Sequence, residues 1–305
     1  MEKNGISWTA DSIFPLGPLK YIRRTEALIR NVKPDWVVGF SDTYYGILAQ
    51  HLGRKYKISS LIDAYDNYES YIPYFKPLHF LWRKAISKAT IVTASGPHLG
   101  RYLGTFRPDK KVHVVPMAAD PTGFKPLDRM ACRRKLDLPL DKKLVGYCGS
   151  LFRNRGIKTL YQALEELCSR NPSVEVVISG RKEKGVHLPE KARWLGYLPD
   201  DYVPILLNSL DVFLVVNKLS AFGNFSYPVK LYEAMQCCIP VVATNTPAVG
   251  WVLSNERDFL AHPEDPGDLV RKIQAQLFRD RYVFRNLTTW EKSCTIFERK
   301  LLSGN

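Results

Sequence analysis

Lys230 and Glu233 stand three residues apart in the segment PVKLYEAM, which opens on Pro228. Proline is at ease in the first turn of a helix, where its missing N–H has no partner to lose. Residues i and i+3 share a helix face, so a cation and a carboxylate project together from this helix's start. Two β-branched apolar runs flank it, Val212–Val216 and Val241–Val242, and both read as buried strands. A helix N-terminus and a cation at the C-terminal rim of a parallel sheet suit a nucleoside diphosphate. Two other strand ends in the same half carry similar chemistry. The loop Gly149–Gly156 holds Arg153 and Arg155 between a strand and a helix. Its amides and guanidinium groups can grip a diphosphate. Ser179, Gly180, Arg181 and Lys182 end the next strand, where they suit a phosphate or a flat base edge. Neither loop is a Walker loop, and the GxGxxG spacing is absent. Each alone reads as an ordinary turn; their agreement in one half carries the site.

These loops need a scaffold, and the sequence supplies an alternation of strands and helices that predicts parallel sheets with covering helices. In the first half, strands are expected at Trp36–Phe40, Ser59–Asp63, Thr90–Ala94 and Lys111–Pro116. Helices are expected at Leu19–Val32, Tyr45–Leu52, Phe75–Lys88 and Pro97–Leu103. Asp120–Leu140 is polar and bears prolines, so it reads as an interdomain linker with one short basic helix. The grammar then restarts. Strands are expected at Leu144–Tyr147, Val174–Ser179, Arg193–Gly196 and Val212–Val216, and helices at Ile157–Arg170, Tyr202–Ser209, Pro266–Phe278 and Thr288–Leu302. In the first half, Asp42 follows one strand, and Asp63, Tyr65, Asp66 and Glu69 follow another. Carboxylates and hydroxyls there suit sugar hydroxyls, with helix capping as the competing role for the acids. Tyr71–Lys88 mixes aromatics with Lys and Arg, a composition that fits either an aromatic core helix or a membrane interface.

Composition narrows the class. At 305 residues with 45% apolar and 24% charged residues, the chain has the size and balance of two soluble α/β domains. No run approaches the ~18 apolar residues of a membrane span, and the first residues lack the order of a signal peptide. The six cysteines show no CxxC pair and no metal spacing, so they are expected as reduced, mostly buried cytosolic thiols. Net charge is +14, of which residues 1–140 hold +10. That asymmetry draws the first half toward an anionic surface, whether lipid head groups, a phosphorylated acceptor or nucleic acid. The basic residues are dispersed rather than striped and no nucleic-acid motif accompanies them, so no nucleic-acid partner is expected.

Several segments together resemble one family. Residues 34–38, PDWVV, are similar to its "kPDvv" strand, and residues 63–69 to its "D-x-H-D" segment with Tyr65 in place of His. Residues 111–120 followed by FKP at 124–126 resemble its interdomain "vipnGvD…F-x-P" signature. VGYCGSL at 145–151 with Arg155 and Gly156 resembles "vgyvGsl…kG", and WLGY at 194–197 resembles "flG-x-v". The most specific likeness is PVKLYEAM followed by IPVVA, similar to the donor-site form "P-x-K-x-x-E-y-m…g-x-P-v-V-a". The chain is thereby identified as a member of the retaining glycosyltransferases of family 4, the glycosyl transferases group 1, with the two-domain GT-B fold. The resemblance implies a metal-independent, hexosyl-type transferase of the EC 2.4 class. It would move a sugar from a nucleotide-sugar to a glycan or lipid-linked acceptor in cell-surface polysaccharide or glycolipid synthesis. It implies Arg155, Lys230 and Glu233 as the catalytic set, with Gly149, Ser150, Gly180, Lys182 and Leu195 completing the donor site. No cofactor is implied beyond the nucleotide-diphosphate-sugar, which is a substrate. Asp42, Tyr65 and Asp66 are expected on the acceptor side.

The expected organisation is an acceptor-side Rossmann-like domain over 1–135 and a donor domain over 136–285. The helix in 286–305 is expected to pack back on the first domain. The location expected is cytoplasmic, with peripheral attachment to the inner face of the membrane. Two departures from the family pattern bear on activity. The first of the family's two motif Glu falls at Phe225. The first sheet is expected to lack the usual initial strand and Gly-rich loop. A non-catalytic nucleotide-sugar or glycan binder is therefore the alternative reading.

Overall fold

The computed structural model describes residues 2–3, 5–10, 17–285 and 287–303. A short antiparallel pair, β1 (Glu2–Lys3) with β2 (Ile6–Ser7), precedes α1 (Gly17–Val32). The first sheet follows as β3 (Trp36–Phe40), α2 (Thr43–Tyr56), β4 (Ser59–Ala64), α3 (Lys76–Lys88), β5 (Ile91–Ala94), α4 (Pro97–Gly104) and β6 (Val112–Val114). Its four strands are parallel, in the order β3-β4-β5-β6. Helix α5 (Arg129–Lys135) leads into β7 (Lys143–Cys148), α6 (Ile157–Arg170), β8 (Val174–Ser179), β9 (Ala192–Trp194), α7 (Val203–Ser209) and β10 (Val212–Val215). The chain continues through α8 (Val229–Gln236), β11 (Val241–Thr244), α9 (Pro247–Val252), β12 (Leu260–Ala261), α10 (Pro266–Gln276) and α11 (Trp290–Leu302). These strands form one parallel sheet, β12-β11-β10-β7-β8-β9.

The expected α/β architecture of two parallel sheets is what the chain adopts. Central strands are buried on both faces, which is why they read as continuous apolar runs: β10 and β11 are buried throughout, and only Lys143 of β7 reaches solvent. Helix α6 buries Leu160, Ala163, Leu164 and Leu167, a stripe at helical spacing. Element ends move by a few residues from expectation, and the strand expected at 193–196 forms at Ala192–Trp194. Helix α9 and strand β12 were not anticipated, because six and two residues are too few to show a period. All six cysteines are unpaired, but only Cys132, Cys148 and Cys237 are buried.

The stretch expected as a linker is docked instead. Arg133 is 3% exposed and gives Nη2 to Asp211 Oδ2 at 2.7 Å and Nε to the Ser209 carbonyl at 2.9 Å. Arg129 Nη1 reaches the other oxygen of Asp211 at 2.9 Å, and the Leu144 amide donates to Oδ2 at 2.7 Å. Helix α5 therefore belongs with the second sheet, although a boundary at residue 135 assigns it to the first unit. Asn208 adds a second clamp, accepting from the Leu127 amide and from Arg281 at 2.8 Å each. Helix α11 returns to the first sheet: Ser293 Oγ donates to the Pro116 carbonyl at 2.8 Å, and Phe297 stacks on Phe40 at 5.6 Å.

The two sheets meet through loops that follow strand C-termini. Asn67 Nδ2 donates to the Ala221 carbonyl at 2.8 Å, and the His98 amide to Tyr227 Oη at 3.2 Å. Gly96 lets that tyrosine in, since a Cβ there would lie 2.1 Å from its ring. Tyr71 packs on Phe222 and Tyr102 on Phe225, at 6.1 and 5.1 Å between ring centres.

Truncating Asp211 would strand a buried guanidinium. Asp211→Ala is expected to cost about 3–5 kcal/mol of unfolding free energy, read as a fall in the urea midpoint. Arg129→Ala, at the more exposed partner, should cost clearly less.

Candidate functional site

A cavity of about 330 Å³ opens at the C-terminal rim of the second sheet. Cys148, Gly149 and Ser150 after β7, and Ser179, Gly180 and Arg181 after β8, form one side. Tyr197, Leu198, Asp200, Val203 and Lys230 form the other. The two loops come so close that a Cβ at Gly180 would lie 1.9 Å from the Gly149 carbonyl oxygen, and Gly180 also takes φ +138°. Only glycine fits there. Arg181 lies over the exposed Tyr197 ring at 4.8 Å, which fixes a cation and an aromatic face on the cavity wall.

Lys230 sits in the first turn of α8 and reaches Glu233 Oε2 at 2.7 Å. The pair is close, yet that oxygen has no aligned hydrogen-bond donor, so the contact is an ion pair and not a well-made hydrogen bond. Glu233 is 6% exposed. Burial pushes its carboxyl pKa up, opposed by Lys230, while Asp200 reinforces the rise. The buried Cys148 thiol beside them is also pushed up by burial.

Arg155 occupies the far end of the same loop and faces the first sheet. Its guanidinium carbon lies 4.2 Å from the centre of the Phe222 ring. Its Nε is buried with no acceptor, and among the described residues no carboxylate lies within ion-pairing distance of it. Across the cleft, Asp66 accepts from Tyr71 Oη at 2.5 Å. Burial raises the Asp66 pKa to about 6, against the pull of the Tyr71 hydroxyl and the Arg155 charge. Tyr71 also packs on Phe222, so Asp66, Tyr71, Phe222 and Arg155 form one stack from both halves.

Of the donor-side residues expected from sequence, Gly149, Ser150, Gly180 and Lys230 line the cavity, and Glu233 adjoins it through Lys230. Arg155 stands in the adjoining cleft. Lys182 and Leu195 do not line it. Lys182 lies over the Trp194 ring at 5.4 Å, and the Leu195 amide extends the sheet by donating to the Ile178 carbonyl at 2.9 Å. Arg181 takes the cavity position instead, because successive side chains leave a strand end on opposite sides. On the first half, Asp42 is taken up as the N-cap of α2, accepting from the Tyr44 amide at 3.0 Å and from Thr43 at 2.9 Å. Tyr65 turns away from Asp66 into a separate, largely apolar hollow with Asp63, Phe40 and Phe297. Sequence reasoning did not name Tyr197, Asp200 or Cys148 as site residues, although Tyr197 lies in the WLGY segment and Cys148 in VGYCGSL.

Asp66 gives a pH signature. The folded chain holds its proton more tightly than the unfolded chain, so its ionisation lowers stability between pH 3.8 and about 6. Asp66→Asn is expected to raise stability at pH 7 by on the order of 2 kcal/mol and to change little below pH 3.8. Urea midpoints at both pH values check this.

The yeast phosphatidylinositol N-acetylglucosaminyltransferase GPI3 subunit (Saccharomyces cerevisiae strain YJM789) is 28% identical over 170 residues, 52% of this chain and 36% of that protein. The putative teichuronic acid biosynthesis glycosyltransferase TuaC of Bacillus subtilis is 28% identical over 142 residues, 46% of this chain and 34% of that protein. The chain thus spans about a third of the length of these relatives. Anabaena HepE in complex with UDP-glucose superposes with a TM-score of 0.74 over 97% of this chain and 84% of that one, at 16% identity. The fold is that of GT-B glycosyltransferases. The sequence profile described as glycosyl transferases group 1 matches residues 128–282, just over half of the chain, and the protein belongs to that family.

Proposed function

We propose that this chain transfers a glycosyl group, with retention, from a nucleoside-diphosphate sugar to a glycan or lipid-linked acceptor. The observation that carries the reading is Arg155: a guanidinium held on an aromatic face, its buried Nε without an acceptor, beside a cavity that presents Lys230 and the Gly149–Ser150 turn. A buried unpaired N–H costs about 1–3 kcal/mol, which a diphosphate oxygen would recover. The name of HepE's bound ligand, UDP-glucose, supports a donor of this class. The names of the yeast and Bacillus relatives support a lipid or cell-surface glycan acceptor.

In this reading the diphosphate bridges Arg155 and Lys230, and Glu233 grips the ribose hydroxyls. As the sugar's C1–O bond to the diphosphate breaks, negative charge grows on the leaving oxygen. Fixed cations stabilise that charge, so activity is expected to survive a chelator. The acceptor oxygen bonds C1 on the face the diphosphate leaves, and its proton passes to the departing phosphate. The first half, with Asp66 at the cleft, holds the acceptor. The alternative, a non-catalytic binder of the same ligand, draws on Phe225: it packs against Tyr102 where the family pattern has an acidic residue.

Release of nucleoside diphosphate from a panel of nucleotide-sugars, with and without a lipid-linked acceptor, tests the proposal. Arg155→Ala should lower turnover about 100-fold or more. Glu233→Ala should mainly weaken donor binding, about tenfold. Unchanged binding and turnover in both variants would remove the site, and tight donor binding with no release in the parent would favour the binder. Attachment to a membrane surface follows from the +10 charge of residues 1–140. The protein should pellet with anionic vesicles at low salt and come off as salt rises.

A further inference from the structure

A second cavity, of about 610 Å³, lies at the opposite pole of the first sheet from the cleft. Ser59 and Ser60, which begin β4, and Thr90, which precedes β5, place it at the strands' N-terminal ends. His51, Arg54 and Lys57 enter it from the end of α2, and Lys84 and Lys88 from α3. No acidic residue lines it. None of its five basic residues makes an ion pair among the described residues. Glu26 of α1 acts on His51, but it is ion-paired with Lys55, outside the cavity, at 2.5 Å.

Basic residues at a helix C-terminus are common, because they oppose the helix dipole. Two observations go beyond that. Lys57 takes the left-handed cap of α2, with φ +57° and ψ +39°, and from there lines the cavity beside Ser59 and Ser60. Lys84 and Lys88 belong to a second helix, whose outer surface adds Phe80 at 66% exposure and Leu81 at 47%. Leu81 itself lines the cavity. Cations and hydroxyls in a hollow suit a phosphate, and apolar side chains on the lip suit the boundary of a bilayer.

We propose that this cavity binds the phosphate of a membrane lipid headgroup, holding the first half on an anionic surface. The proposal rests on the membrane attachment argued above and adds a defined site to it. The probes are phosphatidylcholine vesicles carrying phosphatidic acid, and others brought to equal surface charge with phosphatidylserine. The full chain should prefer phosphatidic acid, whose phosphomonoester can enter the hollow. Lys84→Gln with Lys88→Gln should weaken binding roughly 25-fold, about fivefold per cation, whereas Lys158→Gln with Lys191→Gln on the second half should not. Lys57→Gly should bind about fivefold more weakly while melting at the same temperature or higher, which separates a lost contact from a lost fold. Equal binding to both vesicles, or pocket variants that bind like the parent, would overturn the pocket and leave surface attachment standing. No pelleting with either vesicle would end both. Glycerol 3-phosphate binding as tightly as the vesicles would overturn the lipid as the source of the phosphate.

Discussion

The two halves converge on the guanidinium of Arg155, which has no ion-pair partner among the described residues. Phe222 supports it from below and Asp66 faces it across the cleft. A carboxyl whose pKa burial raises to about 6 is still mostly ionised at neutral pH, so Asp66 attracts Arg155 from across the cleft. Its close contact is the Tyr71 hydroxyl, and it does not come within ion-pairing distance of the guanidinium, whose buried Nε keeps its hydrogen free for another anion. A diphosphate, carrying charge that grows as its bond breaks, is the ligand such a guanidinium suits best.

Holding that charge in place is the task of the contacts between the sheets. Beside a buried apolar cluster that runs through both halves, they include specific fits: an amide to a carbonyl at Asn67–Ala221, a tyrosine lying on Gly96, and two aromatic pairs. They come from loops at strand C-termini, where a parallel sheet leaves its connections free to vary. The stiffness needed to aim these loops lies deeper. The Asp211 network ties α5, the start of β7 and the end of α7 into one unit beneath the second sheet.

The parallel strands were legible because burial on both faces leaves an unbroken apolar run, and the loops were legible because chemistry gathers at strand C-termini. What stayed hidden depended on side-chain direction or on distant partners. The period of a strand end does not say whether Arg181 or Lys182 turns inward. Asp42 after a strand looks the same whether it caps α2 or faces a sugar, and the free amides of the helix decide it. The partners of Arg155 lie at residues 66, 71 and 222, and no local pattern joins them. Loop chemistry and the family resemblance both made Arg155 a candidate; only the fold shows what surrounds it.

Phe225 shows how a local exchange can be absorbed. Where the family pattern places a carboxylate, this chain places a ring that meets Tyr102, whose hydroxyl donates to Glu69 at 3.1 Å. Glu69 in turn takes both Nε and Nη2 of Arg83, at 2.8 and 2.6 Å. At this position the chain joins its halves by a ring contact on Tyr102, which is itself held by a half-exposed ion pair within the first half. Glu233 and Asp200 remain near the donor cavity's Lys230, and burial raises the Glu233 pKa against the pull of that lysine. On the proposed reading, the ring at 225 removes one partner for sugar hydroxyls and leaves the cations that meet the diphosphate in place, so donor recognition would lean on the diphosphate more than on the sugar.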